Sequence, residues 1–194
     1  MTLPAKNLPK ESDGELLIRV AAGDRRALEE LYLNYYRRLA RFLSRFTARY
    51  ENAEEIINDT FMVVWQSAKD FRCASQVSTW IFGIAYRTAL KSLRVQKNHT
   101  AALSLDGYPE QAIDPALDAE VTDWLNRGLS QLPVEQRMTL ELAYRMGHSV
   151  EEIAAITGSP VGTVKARMFH AREKLREYLP ALGGGVPALP ARSE

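Results

Sequence analysis

A single cysteine, Cys73, occurs in the 194 residues. An internal disulfide is therefore impossible, and a reducing compartment suits the chain. Histidine is almost as scarce, with His99, His148 and His170 the full complement. Together with Cys73 they show neither metal-ligand spacing nor the pattern of an activated nucleophile, so no metal site and no catalytic residue is assigned. A phosphate loop and a glycine-rich dinucleotide turn are both missing, which removes the usual cofactor sites and leaves no small-molecule substrate to expect. The sequence reads as a non-enzyme without cofactors. No apolar run approaches the roughly 20 residues that span a bilayer. The opening MTLPAKNLPKESDGE lacks the apolar core of a secretory signal. A soluble, cytoplasmic protein is the expectation.

What is present is apolar material and helical rhythm. Hydrophobic residues make up 46% of the chain, enough to bury a core. They recur at helical spacing, and no stretch alternates as a half-buried strand would, so an all-α fold is predicted. The net charge of +1 hides an uneven distribution. Asp106, Glu110, Asp114, Asp118, Glu120 and Asp123 lie in a stretch with no Lys or Arg, and the remainder holds 18 acids against 25 bases. The chain is basic, with an acidic strap.

The periodicity predicts helices over about 16–22, from Asp24 onward, over 53–69 and over 79–95, which together suit one bundle. In the second of these, Leu28, Leu31, Tyr32, Tyr35, Leu39, Phe42 and Phe46 share a side. A linker follows in KNHTAALSLDGYPEQAIDPALDAEVTD, where apolar periodicity lapses. Helices resume over 115–132, 134–146, 150–157 and 160–178. The predicted organisation is two small helical domains, an N-terminal helical bundle (12–98) and a C-terminal helix-turn-helix domain (117–180), joined by an acidic flexible linker (99–116). The Gly/Pro-rich end, 181–194, is read as a disordered tail.

The sharpest local signal is SVEEIAAITGSPVGTVKARMFHAREKL. Ser149 and Glu152 have capping-box spacing, Gly158 suits a left-handed helix end, and Pro160 a first helical turn. Two helices across a short Gly-containing turn form a helix-turn-helix. Winding the second helix at about 100° per residue places Val161, Val164, Met168, Ala171, Leu175 and Leu179 inward. Gly162, Thr163, Ala166, Phe169, His170 and Glu173 point outward. Lys165, Arg172 and Arg176 flank them on one side, Arg167 and Lys174 on the other. Slim side chains toward bases and cations toward both phosphate walls are what a major-groove helix needs. The plainer alternative is an ordinary charged surface helix, with Phe169 plugging a domain contact.

Two further faces stand out. In EEIINDTFMVVWQSAKDF, Met62 and Val63 fall among Glu55, Asp59, Gln66 and Lys69 on an outward face. That mixture suits docking of another helix, whether from a partner or from the same bundle. In FRCASQVSTWIFGIAYRTALKSLR, Phe82, Ala85, Tyr86, Ala89 and Leu93 face in, while Trp80, Ile84, Arg87, Lys91 and Arg94 share the other side. An aromatic beside a line of cations fits a path for single-stranded nucleic acid; Trp80 as a domain-edge core residue is the alternative. The polar loop from Arg72 to Ser78, with Ser75 and Gln76, could form a small pocket.

The blocks AEEIINDTFMVVW, FRCASQVSTWIFGIAYR and LPVEQRMTLELAYRMGHSVEEIAAITGSPVGTVKARMFHAREKL resemble, in order and spacing, the extracytoplasmic-function (ECF) sigma factors of the bacterial sigma-70 family. The resemblance runs from about Leu16 to Leu179 and implies a role in transcription initiation, in a stress or envelope response. It implies that 12–98 is sigma region 2, holding the clamp of core RNA polymerase through Glu55, Asp59, Met62 and Gln66. It implies that the pocket loop (Arg72, Ser75, Gln76) and the Trp80, Arg87 and Lys91 face take the opened −10 strand. Region 4, 117–180, would rest on the polymerase flap and set Thr163, Lys165, Ala166, Arg167, Phe169, His170 and Arg172 on the −35 element of promoter DNA. The linker would thread toward the active-site cleft, where its negative charge imitates nucleic acid. An anti-sigma factor is an implied partner. Arg87, CASQVS, Ala166 and His170 depart from the residues frequent in the family, and these departures concern which promoter is read. The competing reading is a helix-turn-helix regulator acting without core polymerase.

Overall fold

Ser12 and Asp24 start the first two helices. The Ser12 hydroxyl accepts from the Glu15 amide while the Glu15 carboxylate accepts from the Ser12 amide, a complete capping box that opens α1 (Asp13–Ala21). Gly23, at φ +90°, turns the chain in a conformation that side chains disfavour. Asp24 then caps α2 (Arg25–Leu43), and its second oxygen holds Arg19 at 2.6 Å. α3 (Tyr50–Ser67) runs into a 3₁₀ turn at Ala68–Asp70, and α4 (Val77–Thr100) completes the N-terminal half. The computed structural model describes residues 11–47, 50–72, 75–100 and 119–182, with eight α-helices and no strand among them. The predicted linker falls largely on 101–118 and the predicted tail largely on 183–194; both stretches lie outside the described residues.

The C-terminal half comprises α5 (Ala119–Ser130), α6 (Val134–Leu140), α7 (Val150–Thr157) and α8 (Val161–Leu182). A continuous helix was expected over 134–146; instead α6 passes into one wide π-helical turn, Glu141–Arg145. All five residues from Met138 to Leu142 are buried, because this segment packs on α8 on one side and joins the N-terminal core on the other. Ser149 and Glu152 form the predicted capping box of α7, and Gly158 closes it at φ +63°. α8 runs on through Pro180, beyond the predicted end at 178.

The two halves do not hang apart. Leu16, Leu31, Tyr35, Phe42, Ile57, Val64 and Phe82 form the N-terminal core, and Met138, Leu142, Ile153, Ile156 and Val164 belong to the same contiguous cluster. A smaller cluster, Leu129, Leu132, Leu140 and Ala171, lies within the C-terminal half. The largest contact between the halves is α7 on α4. A Cβ at Gly83 would sit 3.4 Å from the Ile156 carbonyl oxygen, so the α7 backbone passes in close contact over this mid-helix glycine. Ile84, expected on the outward face, is buried. All six residues Ile81–Tyr86 are buried, since α4 is packed by α1, α2, α3 and α7 together, and a one-neighbour winding anticipates only half of that.

Polar contacts complete the seam. The Arg137 guanidinium donates to the Arg45 carbonyl oxygen and lies 5.1 Å from the Phe46 ring centroid. Arg94 of α4 approaches Glu135 of α6 at 3.9 Å in a solvent-exposed pair. Glu141, buried beside Arg145 at 3.3 Å, has its carboxyl pushed up by burial, against the opposing pull of Arg145, Arg45 and Arg137.

Candidate nucleic-acid and partner interfaces

α8 is split into an inner and an outer face by its own packing. Val164 and Ala171 are fully buried, with Met168 and Leu175 partly so. Thr163, Lys165, Ala166, Phe169, His170 and Arg172 are exposed, as the winding predicted. The Phe169 and His170 rings meet edge to face, centroids 5.4 Å apart, and Phe169 is 54% exposed, so it plugs no domain contact here. The flanking cations are not equivalent. Lys165 and Arg172 have no carboxylate partner among the described residues, whereas Arg176 pairs with Glu173 at 2.5 Å. Arg172 Nε donates to the Met168 carbonyl at 3.2 Å, which fixes the root of its side chain and leaves the rest of the guanidinium outward. Arg167 is half-buried: its Nη1 donates to Ser159 Oγ at 3.0 Å, and its charge is felt by Tyr86 of α4.

On α4, Trp80, Arg87 and Lys91 are seven and four residues apart, which stacks them within about 40° of one another around the helix. Arg87 and Lys91 line an open groove with Leu90, Arg94 and Val95. Trp80 is half-buried and leans on Phe71, ring centroids 5.1 Å apart, so part of the indole serves the bundle edge and part faces solvent. In the loop before α4, Arg72 and Gln76 are exposed and Ser75 is half-buried; Cys73 and Ala74 lie outside the described residues. Glu55, Asp59, Met62 and Gln66 form an exposed face of α3. Met62 is 57% and Val63 39% exposed, so no helix of the bundle covers this apolar pair.

Winding single helices could not reveal Gly83, His148 and the Arg45–Arg137 contact, which belong to the seam. One signal was legible: a glycine inside a strong helical pattern costs about 1 kcal/mol relative to Ala and asks for a packing reason.

The sigma-70 region 2 family matches residues 31–99, and the sigma-70 region 4 family matches 122–175. The ECF RNA polymerase sigma factor SigM of Mycobacterium tuberculosis is 35% identical over 178 residues, covering 91% of this chain and 89% of its own length. The chain belongs to the ECF sigma factors. The RNA polymerase sigma-H factor of Pseudomonas aeruginosa is another relative, 30% identical over 90% of this chain and 97% of its own. Two solved structures share the fold of this sigma factor. One is CnrH in complex with the cytosolic domain of CnrY (TM-score 0.65, 23% identity, 88% of this chain and 99% of that one). The other is the sigma factor RpoE in complex with the anti-sigma factor NepR from Bartonella quintana (TM-score 0.65, 24% identity, 78% of this chain and 96% of that one). Family membership decides for a sigma factor over a regulator that works without polymerase. No described helix is long and apolar enough to cross a membrane.

Proposed function

We propose that this ECF sigma factor acts in the cytoplasm, without catalysis of its own, by carrying core RNA polymerase to promoters through three separate surfaces. The α3 face (Glu55, Asp59, Met62, Gln66) docks on the polymerase clamp. The Arg72, Ser75 and Gln76 loop and the Trp80, Arg87 and Lys91 side of α4 take the opened −10 strand, bases stacking on the indole and phosphates meeting the cations. Thr163, Lys165, Ala166, Arg167, Phe169, His170 and Arg172 read the −35 duplex while region 4 rests on the flap. Residues 12–98 and 117–180 act as the two working domains, with 99–116 between them. The observation that carries the reading is the outer face of α8, where small and aromatic groups toward bases are flanked by Lys165 and Arg172, exposed cations with no carboxylate partner among the described residues.

Geometry adds a requirement. Elements centred at −35 and −10 lie about 25 base pairs apart, or about 85 Å of B-form duplex at about 3.4 Å per pair. A compact body of this length has a radius of gyration of about 16 Å. The docked arrangement cannot touch both elements, so the halves separate on the polymerase. An anti-sigma factor is the natural partner of the docked form; the similar RpoE structure is itself a complex with the anti-sigma factor NepR. Run-off transcription with purified core polymerase tests the function, together with promoter mobility shifts with and without core. Start-site-specific product and a shift that depends on core are expected; tight promoter binding without core, and no product with it, would refute the reading.

A further inference from the structure

His148 lies between α6 and α7, where the C-terminal half meets the N-terminal one. Its side chain is 5% exposed. The imidazole packs edge to face on Phe82 of α4, ring centroids 5.0 Å apart. Nδ1 faces the Glu152 carboxylate at 3.6 Å. Nε2 is buried and has no hydrogen-bond partner among the described residues. The charged groups that face the ring are Glu152, from α7, and Arg38, from α2; α4 presents the Phe82 ring, and Arg38 lies 5.3 Å from that ring's centroid.

A neutral imidazole fits this setting. With its one proton on Nδ1 it faces Glu152, and the bare Nε2 needs no acceptor. A second proton would land on Nε2, buried, with nothing to receive its hydrogen bond and with a guanidinium across Phe82. Glu152 offsets this only in part, since its carboxylate also accepts from the Ser149 amide at 2.8 Å.

We infer that His148 is a proton-responsive latch: neutral, it lets the C-terminal half dock on α4, and its protonation drives the two halves apart. This rests on the proposed function only for its biological purpose, because docking itself is a property of the isolated chain. Burial, reinforced by Arg38 and opposed by Glu152, holds the docked imidazole below its ordinary value. A histidine depressed in the docked form contributes docking stability that is complete above about pH 6.5 and is lost as pH falls below that value. If only the neutral form docks, the open-to-docked ratio rises about tenfold between about pH 7.5 and about pH 5.5.

Small-angle X-ray scattering of the purified full chain reads this directly, with far-UV circular dichroism checking that the helices persist. The wild-type radius of gyration should grow on acidification, while His148→Leu and His148→Gln, which cannot take up the proton, should hold their size. Both variants keep every carboxylate and His170, so their difference from wild type isolates one group. Gly83→Leu should be expanded at both pH values with its helices intact, because the α7 backbone at Ile156 already lies 3.4 Å from where its Cβ would sit and a longer side chain must push into it. A wild-type radius indifferent to pH, the same expansion in His148→Leu, or a compact Gly83→Leu would each overturn the inference. None of these outcomes depends on polymerase, so transcription can fail or succeed independently.

Discussion

The outer face of α8 makes a quantitative claim. Lys165 and Arg172 are exposed and free of carboxylate partners among the described residues, whereas Arg176 is already tied to Glu173. Each cation that neutralises a phosphate on duplex DNA contributes about 0.9 to the slope of log affinity against log salt. The double variant Lys165→Ala/Arg172→Ala should therefore bind promoter, as the polymerase holoenzyme, with a slope shallower by about 1.8. The advantage of wild type over variant should shrink about 3.5-fold between about 0.1 and 0.2 M salt. Arg176→Ala should change the slope less than either single variant at Lys165 or Arg172. His170→Ala should leave the slope nearly intact and alter preference at one or two base pairs. Filter binding or fluorescence anisotropy over a salt series, on promoters varied at each −35 position, measures both quantities. An unchanged slope in the double variant, or an Arg176→Ala effect as large as that of Arg172→Ala, would refute the assignment of this face.

Trp80→Ala should spare assembly with core polymerase but impair strand opening, read as loss of permanganate-reactive thymines in the −10 region. Met62→Glu should weaken association with core in a pull-down or by interferometry while leaving thermal stability within about 0.5 kcal/mol, since the side chain is exposed. Ser149→Ala removes the hydroxyl that receives the Glu152 amide at 3.1 Å and should cost about 1 kcal/mol in denaturant unfolding.

The course of individual helices was legible because caps and periodicity are local. Ser149, Glu152 and Gly158 are enough to bound α7, and the outward arc of α8 followed from Val164 and Ala171 turning in. The docking of the two halves was not legible, because it depends on residues distant in sequence. Ile84 looks like an outward apolar residue when α4 is wound alone, and becomes core once helices surround it on several sides. His148 looks idle until Phe82, sixty-six positions earlier, is set beneath it. The π turn at Glu141–Arg145 is a departure that no period of 3.6 anticipates.

The crossing at Gly83 carries a cost for the separated form. Once α7 leaves α4, Ile156 and the apolar stretch around Gly83 meet water, and each aliphatic side chain of that size forfeits about 1.5–3 kcal/mol of burial. Bare surface of that kind invites clumping of one molecule with the next. The extended state is thus the aggregation-prone one, and a larger body that covers the bared α4 and α7 faces stabilises it.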